Sequence, residues 1–223
     1  MEQRGRLQLP GSETAGRKWW KRALPAAGAV VAIVLLAPGV SPVLAAGPAT
    51  DAVKSTVDEV IRILQDKEMK KPDRSEERRR LLEKIVGERF DYDEMAKRTL
   101  TVQWAKLSKD EQKEFVDLFK RMLSNTYADK IDSYSGEPVQ YLNERQQEGF
   151  AEVKTKVISG KAEIPLDYRL MHKSDNWRVY DVVVDGVSLV NNYRGQFTKI
   201  IKSSSYADLV EKLRKKSDKI TAP

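Results

Sequence analysis

The chain has 223 residues, 33% of them charged and 40% hydrophobic, with no cysteine and a single histidine, His172. This composition excludes wholesale disorder, collagen-like repeats, a polytopic membrane protein, disulfides, thiolate metal sites and histidine-cluster metal sites. The net charge of +7 is unevenly placed: residues 1–45 hold six basic and two acidic side chains and carry +4, leaving +3 on residues 46–223 from 34 basic and 31 acidic ones. That is a mixed surface, so no nucleic acid is expected as a partner, and with no cysteine and one histidine no metal or cofactor is expected.

The first 45 residues read as a secretory leader. Arg17-Lys18-Trp19-Trp20-Lys21-Arg22 is a basic start, Ala23 to Ala37 is apolar, and Val43-Leu44-Ala45 offers small residues for cleavage. As a helix the apolar run would reach about 22 Å, short of the roughly 30 Å of a bilayer core. Pro38, Gly39 and Pro42 break its extension. Residues 46–223 are then one exported, free domain, expected in the periplasm as a monomer.

In chain order, Val53, Val57, Val60, Ile61 and Leu64 recur at helical spacing and predict a helix over 51–67. Asp73 with Glu76 suggests a capping box for a second helix that Gly87 stops. Asp91 caps a short helix through Met95. Ser108 with Glu111 opens a long helix carrying Phe115, Leu118, Phe119, Met122, Leu123, Tyr127, Ile131 and Tyr134. From Glu137 the period changes to two. Val139 and Tyr141, Ala151 to Val157, Ile164 to Leu170, and Trp177 to Val184 predict four antiparallel strands in a meander, with turns at Gly160 and at Ser174 to Asn176. Pro165 lacks an amide hydrogen, which predicts an edge or bulged position. After Gly186, Ser188 caps a helix with Leu189, Tyr193, Phe197, Ile200 and Ile201, and Ser205 opens a last one. The fold class is α+β: a sheet of about four antiparallel strands packed with several helices.

Chemistry-bearing residues are few. No Gly-rich phosphate loop or Gly-x-Ser-x-Gly elbow is present. Asp167 is expected to be solvated and Asp185 to serve the turn before Gly186. Strict alternation places Asp181 with Trp177, Val179 and Val183, where a carboxylate needs a partner such as Arg194 or helix-terminal amides. Arg78-Arg79-Arg80 and Arg214-Lys215-Lys216 read as solvated helix faces, or alternatively as docking sites for an acidic partner surface or for lipid headgroups. The apolar positions of sheet and helices form either a filled core or the walls of a cavity between the layers.

Three segments carry a family resemblance. They are Phe90-Asp91-Tyr92-Asp93-Glu94-Met95-Ala96 running to Trp104 and Leu107-Ser108-Lys109-Asp110-Glu111-Gln112; Tyr127 with Ile131 and Tyr134; and Trp177-Arg178-Val179-Tyr180-Asp181-Val182 followed by Asp185-Gly186-Val187-Ser188-Leu189-Val190, Asn192-Tyr193-Arg194 and Gln196-Phe197. Together they resemble the MlaC, or toluene-tolerance, family of periplasmic phospholipid carriers, over about residues 50–218. Thr101 departs from the pattern, which has glycine after the leucine; a position needing positive φ would be strained here.

The resemblance implies a lipid-tail cavity lined by Phe119, Leu123, Tyr127, Val153, Val157, Leu166, Tyr168, Leu170, Leu189, Tyr193 and Phe197, with Asp181 and Arg194 at the frame or headgroup. It implies a phospholipid ligand, no catalysis, and shuttling between an outer-membrane lipoprotein–porin complex and an inner-membrane ABC transporter complex with an MCE-type subunit. The cavity needed is on the order of 900 Å³, at the upper end of ligand pockets. Two other readings stay open on the residues alone: an envelope adaptor with a filled core, and an enzyme of small apolar substrates in a cone-shaped α+β fold.

The leader predicts that the exported protein begins after Ala45. N-terminal sequencing that returned Met1 would overturn it.

Overall fold

The computed structural model describes residues 47–218. Among these residues there are six α-helices: α1 Pro48–Gln65, α2 Ser75–Arg89, α3 Tyr92–Leu100, α4 Lys109–Asp132, α5 Leu189–Ser203 and α6 Tyr206–Asp218. Five strands, β1 Val139–Gln147, β2 Phe150–Ser159, β3 Ala162–Lys173, β4 Asn176–Val184 and β5 Val187–Ser188, form one antiparallel sheet in sequential order. This is the expected α+β meander with a short fifth strand added. The leader and its cleavage point lie outside the described residues. Among the described residues no helix is long and apolar enough to cross a membrane.

Local chemistry sets most boundaries. Ser108 and Glu111 form the reciprocal capping box: the Glu111 amide donates to Ser108 Oγ at 3.2 Å and the Ser108 amide to Glu111 Oε2 at 2.8 Å. The box expected at Asp73 and Glu76 does not form, because a 3₁₀ turn at Pro72–Arg74 makes Arg74 the N-cap of α2. Gly87 does not stop α2, which runs on to Arg89; a mid-helix glycine weakens a helix by only about 1 kcal/mol, which packing overrides. Asp91 caps α3 as expected, accepting the Glu94 amide at 3.0 Å, but α3 continues past Met95 to Leu100.

In the sheet, Asp185 and Gly186 have φ of 50° and 77°, the pair of positive values that a two-residue type I′ hairpin requires. Pro165 lies in an interior strand at the end of the β3–β4 ladder: Leu166 faces Val184, and one residue beyond it the Pro165 carbonyl accepts the turn amide of Asp185 at 2.9 Å. Its missing N–H therefore falls at the end of that ladder and interrupts no pairing within it.

Three cores hold the elements together. Met95, Leu100, Phe115, Phe119, Met122, Tyr193, Phe197, Leu209 and Leu213 build a helical core among α3, α4, α5 and α6. Ala49 and Val53 of α1 pack on Ala151, Val153, Tyr168, Leu170, Val179 and Val182 of the sheet. Ile63 and Leu64 meet Leu82 and Ile85 between α1 and α2. Phe90, at the α2–α3 elbow, packs against both of the first two. The elbow is tied to β4: the Asp91 amide donates to the Val179 carbonyl at 2.8 Å, and Arg178 Nη1 and Nη2 donate to the Glu88 and Phe90 carbonyls at 2.7 and 2.9 Å.

Thr101 ends α3 with φ 52° and ψ −121°. A β-branched residue is costly there, in the left-handed half of the map that favours glycine. Thr101→Gly is expected to stabilise the protein by about 1 kcal/mol, the strain relieved less the added freedom of the unfolded chain. A thermal melt checks this, and an unchanged or lower Tm overturns it.

Candidate functional site

The site begins with an irregularity in β4. Arg169 faces Asp181 while Leu170 faces Val179, so Tyr180 is an extra residue with no partner on β3. Such a bulge shifts the two-residue alternation by one. Asp181 is therefore not on the face of Trp177 and Val179, as strict alternation predicts. It lies with Arg169 on the opposite face, beneath the start of α5.

There the Asp181 carboxylate, 3% exposed, is fully engaged. Oδ1 accepts the Val190 amide at 3.0 Å, and Oδ2 accepts Ser188 Oγ at 2.6 Å and Arg169 Nη1 at 3.1 Å. Ser188 caps α5 in turn, accepting the Asn191 amide at 3.0 Å. A carboxylate at a helix N-terminus that accepts from three donors, with both oxygens engaged, is a structural anchor. The expected pairing of Asp181 with Arg194 does not occur. Arg194 Nε donates instead to the Arg98 carbonyl in the last turn of α3, at 2.9 Å.

The eleven apolar positions predicted as a lipid lining are divided between two cores. Phe119, Leu123, Leu189, Tyr193 and Phe197 are buried in the helical core, with Tyr127 half-buried against it. Phe119, Tyr193 and Phe197 pack against one another, edge-on or tilted, with ring centroids 5.5–6.0 Å apart, which is aromatic packing at contact distance. Val153, Tyr168 and Leu170 belong to the sheet core, with Leu166 half-buried at its border. Val157 is half-buried farther along β2. Two surface depressions, about 260 Å³ between α1 and α2 and about 490 Å³ beside α4 and α6, have largely charged walls and include none of the eleven.

Sequence reasoning missed the buried hydroxyls. Oxygens of Thr126, Tyr127, Tyr141 and Tyr193 are shielded from solvent without a hydrogen-bond partner. Burial pushes the Tyr127 phenol up to about 12 and raises those of Tyr141 and Tyr193 further. Only the aromatic residue type signals such a group in sequence, and that signal is equally one of core packing.

Both basic runs are largely engaged within the chain. Arg78 binds Asp132 and the Met69 carbonyl, Arg79 binds Glu83 and Asn125, and Arg80 binds Glu76. Arg214 pairs with Glu114 and Lys215 with Glu211. His172 is exposed at its hairpin, with its ring 5.1 Å from that of Trp177. Asp167 is half-buried, its Oδ1 accepting the Thr155 amide at 3.3 Å. Among the described residues no group of His, Cys, Asp and Glu is placed to hold a metal ion.

Comparison with known proteins adds four findings. The family described as MlaC protein matches residues 54–215. The toluene tolerance protein ttg2D of Pseudomonas putida is 28% identical over 119 residues, covering 52% of this chain and 55% of that protein. The intermembrane phospholipid transport system binding protein MlaC of Haemophilus influenzae is 23% identical over 113 residues, covering 48% and 53%. The chain thus spans about half the length of these relatives. A solved phospholipid-binding protein from Ralstonia solanacearum, in complex with a phospholipid, has the same fold, with a TM-score of 0.70 at 23% identity over 78% of this chain and 99% of that one.

The anchor role of Asp181 has a measurable consequence. Asp181→Ala removes an acceptor from the α5 N-terminus and is expected to cost about 2–3 kcal/mol. Arg194→Ala removes one bond to a carbonyl and strands no charge, so about 1 kcal/mol is expected. Urea unfolding of both variants decides it; a loss for Arg194→Ala as large as that for Asp181→Ala overturns it.

Proposed function

The chain belongs to the MlaC protein family, and from that premise we propose that it is a periplasmic carrier that binds a phospholipid by its acyl tails. The family match over residues 54–215 carries the reading. It is supported by the fold shared with the Ralstonia solanacearum protein, whose structure holds a phospholipid. The relatives' names point to a lipid transport system. The carrier shuttles as a monomer between an outer-membrane lipoprotein–porin complex and an inner-membrane ABC transporter complex with an MCE-type subunit.

The physics of the cargo favours such a protein. Two acyl chains carry about 30 methylenes, each worth about 0.8 kcal/mol on burial, so a lipid crosses water only if its tails are covered. The tails lie along the borders of the cores, where side chains are apolar yet half-buried: Val57, Tyr141, Leu166 and Val184 beside the sheet core and Tyr127 beside the helical one. Phe119, Tyr193 and Phe197 hold the frame. Release then follows from a differential affinity of two states of the carrier, biased by the membrane partner. The protein performs no catalysis in this reading. Its one buried strand carboxylate, Asp181, is committed to three donors.

Native mass spectrometry of protein purified without added lipid tests the proposal. A co-purifying phospholipid mass is expected, and a bare mass favours the adaptor with a filled core. Leu166→Trp separates the two further. At a cavity border it lowers lipid occupancy with a stability change below about 1 kcal/mol, whereas overpacking a closed core costs about 1–3 kcal/mol.

A further inference from the structure

Three of the buried hydroxyls form a group. Thr126 and Tyr127 are neighbours on α4, and Tyr193 projects from α5. Tyr193 is fully buried, its ring edge-on to Phe119 at 5.8 Å. Its hydroxyl lies beside that of Thr126 and within electrostatic reach of Tyr127. The geometry nonetheless falls short of a sound hydrogen bond, and all three oxygens are without a partner. The surrounding core is apolar, built from Phe119, Met122 and Leu123 among others.

A hydroxyl buried without a partner costs about 1–3 kcal/mol. Small rotations that joined the three in an open run would use two of their protons and leave a third without an acceptor. An acceptor from outside the chain can take up that proton, a ligand carbonyl in the place a buried water would otherwise fill. Burial keeps both phenols neutral, and a neutral donor suits an uncharged carbonyl, whereas a phosphate calls for Arg or Lys. Tyr127, the half-buried member, stands where this core meets its surroundings. In a diacyl lipid the matching groups are the two ester carbonyls, at the point where the apolar tails end.

We propose that Thr126, Tyr127 and Tyr193 form a subsite that donates hydrogen bonds to an ester carbonyl of a bound diacyl lipid. The proposal rests on the carrier reading and adds to it a basis for recognising the linkage of the tails as well as their bulk.

The test uses two lipids with one headgroup: diacyl phosphatidylglycerol and its dialkyl ether counterpart, which has no carbonyl. Each is offered from vesicles to the protein and to its Tyr127→Phe/Tyr193→Phe variant, and retained lipid is counted by mass spectrometry after gel filtration. The unaltered protein is expected to hold the ester lipid about tenfold more tightly, the worth of one neutral hydrogen bond. The double variant should hold both lipids alike, at the ether level, with a lipid-free melt no lower than that of the parent. Equal retention of the two lipids by the unaltered protein overturns the subsite and leaves the carrier reading standing. An ester preference that survives in the variant also overturns it. Retention of neither lipid by the unaltered protein ends the carrier reading, and the subsite with it. If the double variant does not fold, Tyr127→Phe, Tyr193→Phe and Thr126→Val singly enter the same comparison, with the same outcomes.

Discussion

Tyr180 has no partner across β3, and the union of sheet and helices depends on that extra residue. The bulge turns Asp181 out of the sheet core and places its carboxylate against the first turn of α5, where the Val190 amide and Ser188 hydroxyl donate to it. It also turns the Tyr180 ring toward α3, where the Arg98 guanidinium lies 4.1 Å from the ring centroid. α3 and α5 are thus both seated on β4 by polar contacts, and α4 and α6 pack onto them through the helical core. Removing the bulge would restore strict alternation and direct a carboxylate into the apolar layer beneath α1, at a cost of several kcal/mol.

The consequence is a fold with separate cores instead of one continuous interior. The aromatic group of Phe115, Phe119, Tyr193 and Phe197 closes the helical half at contact distance. The sheet half is covered on one face by α1, whose first turn is held by β1: Glu144 accepts the Thr50 amide at 2.6 Å, and a side chain at Gly47 would collide with that carboxylate. Closed aromatic packing supplies stability, and in the proposed carrier role the half-buried apolar margins of the cores would take the acyl chains.

Electrostatics points inward as well. The two basic runs that stand out in the sequence are largely engaged by acids and carbonyls of neighbouring helices. Exposed pairs of this kind contribute at most about 1 kcal/mol each. The Arg78 side chain, which reaches the Met69 carbonyl and Asp132 and is largely buried, acts as a tether between α2 and α4. The patterned charge of the described surface is therefore mostly a property of the fold.

The sequence by itself determined the elements and their class. Helical spacing in α1 and α4, the Ser108–Glu111 box, the Asp91 and Ser188 caps and the Asp-Gly turn are local signals, each decided within a few residues by backbone hydrogen bonding and φ/ψ preference. The strained position at Thr101 was legible too, through its departure from a family pattern. What only the tertiary structure decided is which residues meet. A bulge leaves no mark in a two-residue period, so the partner of Asp181 became Arg169 of the adjacent strand in place of Arg194. The division of Phe119 and Leu166 between different cores, and the gathering of the Thr126, Tyr127 and Tyr193 hydroxyls without an acceptor, likewise arise from contacts distant in sequence. Periodicity reports which face of an element is apolar, whereas packing determines what that face touches.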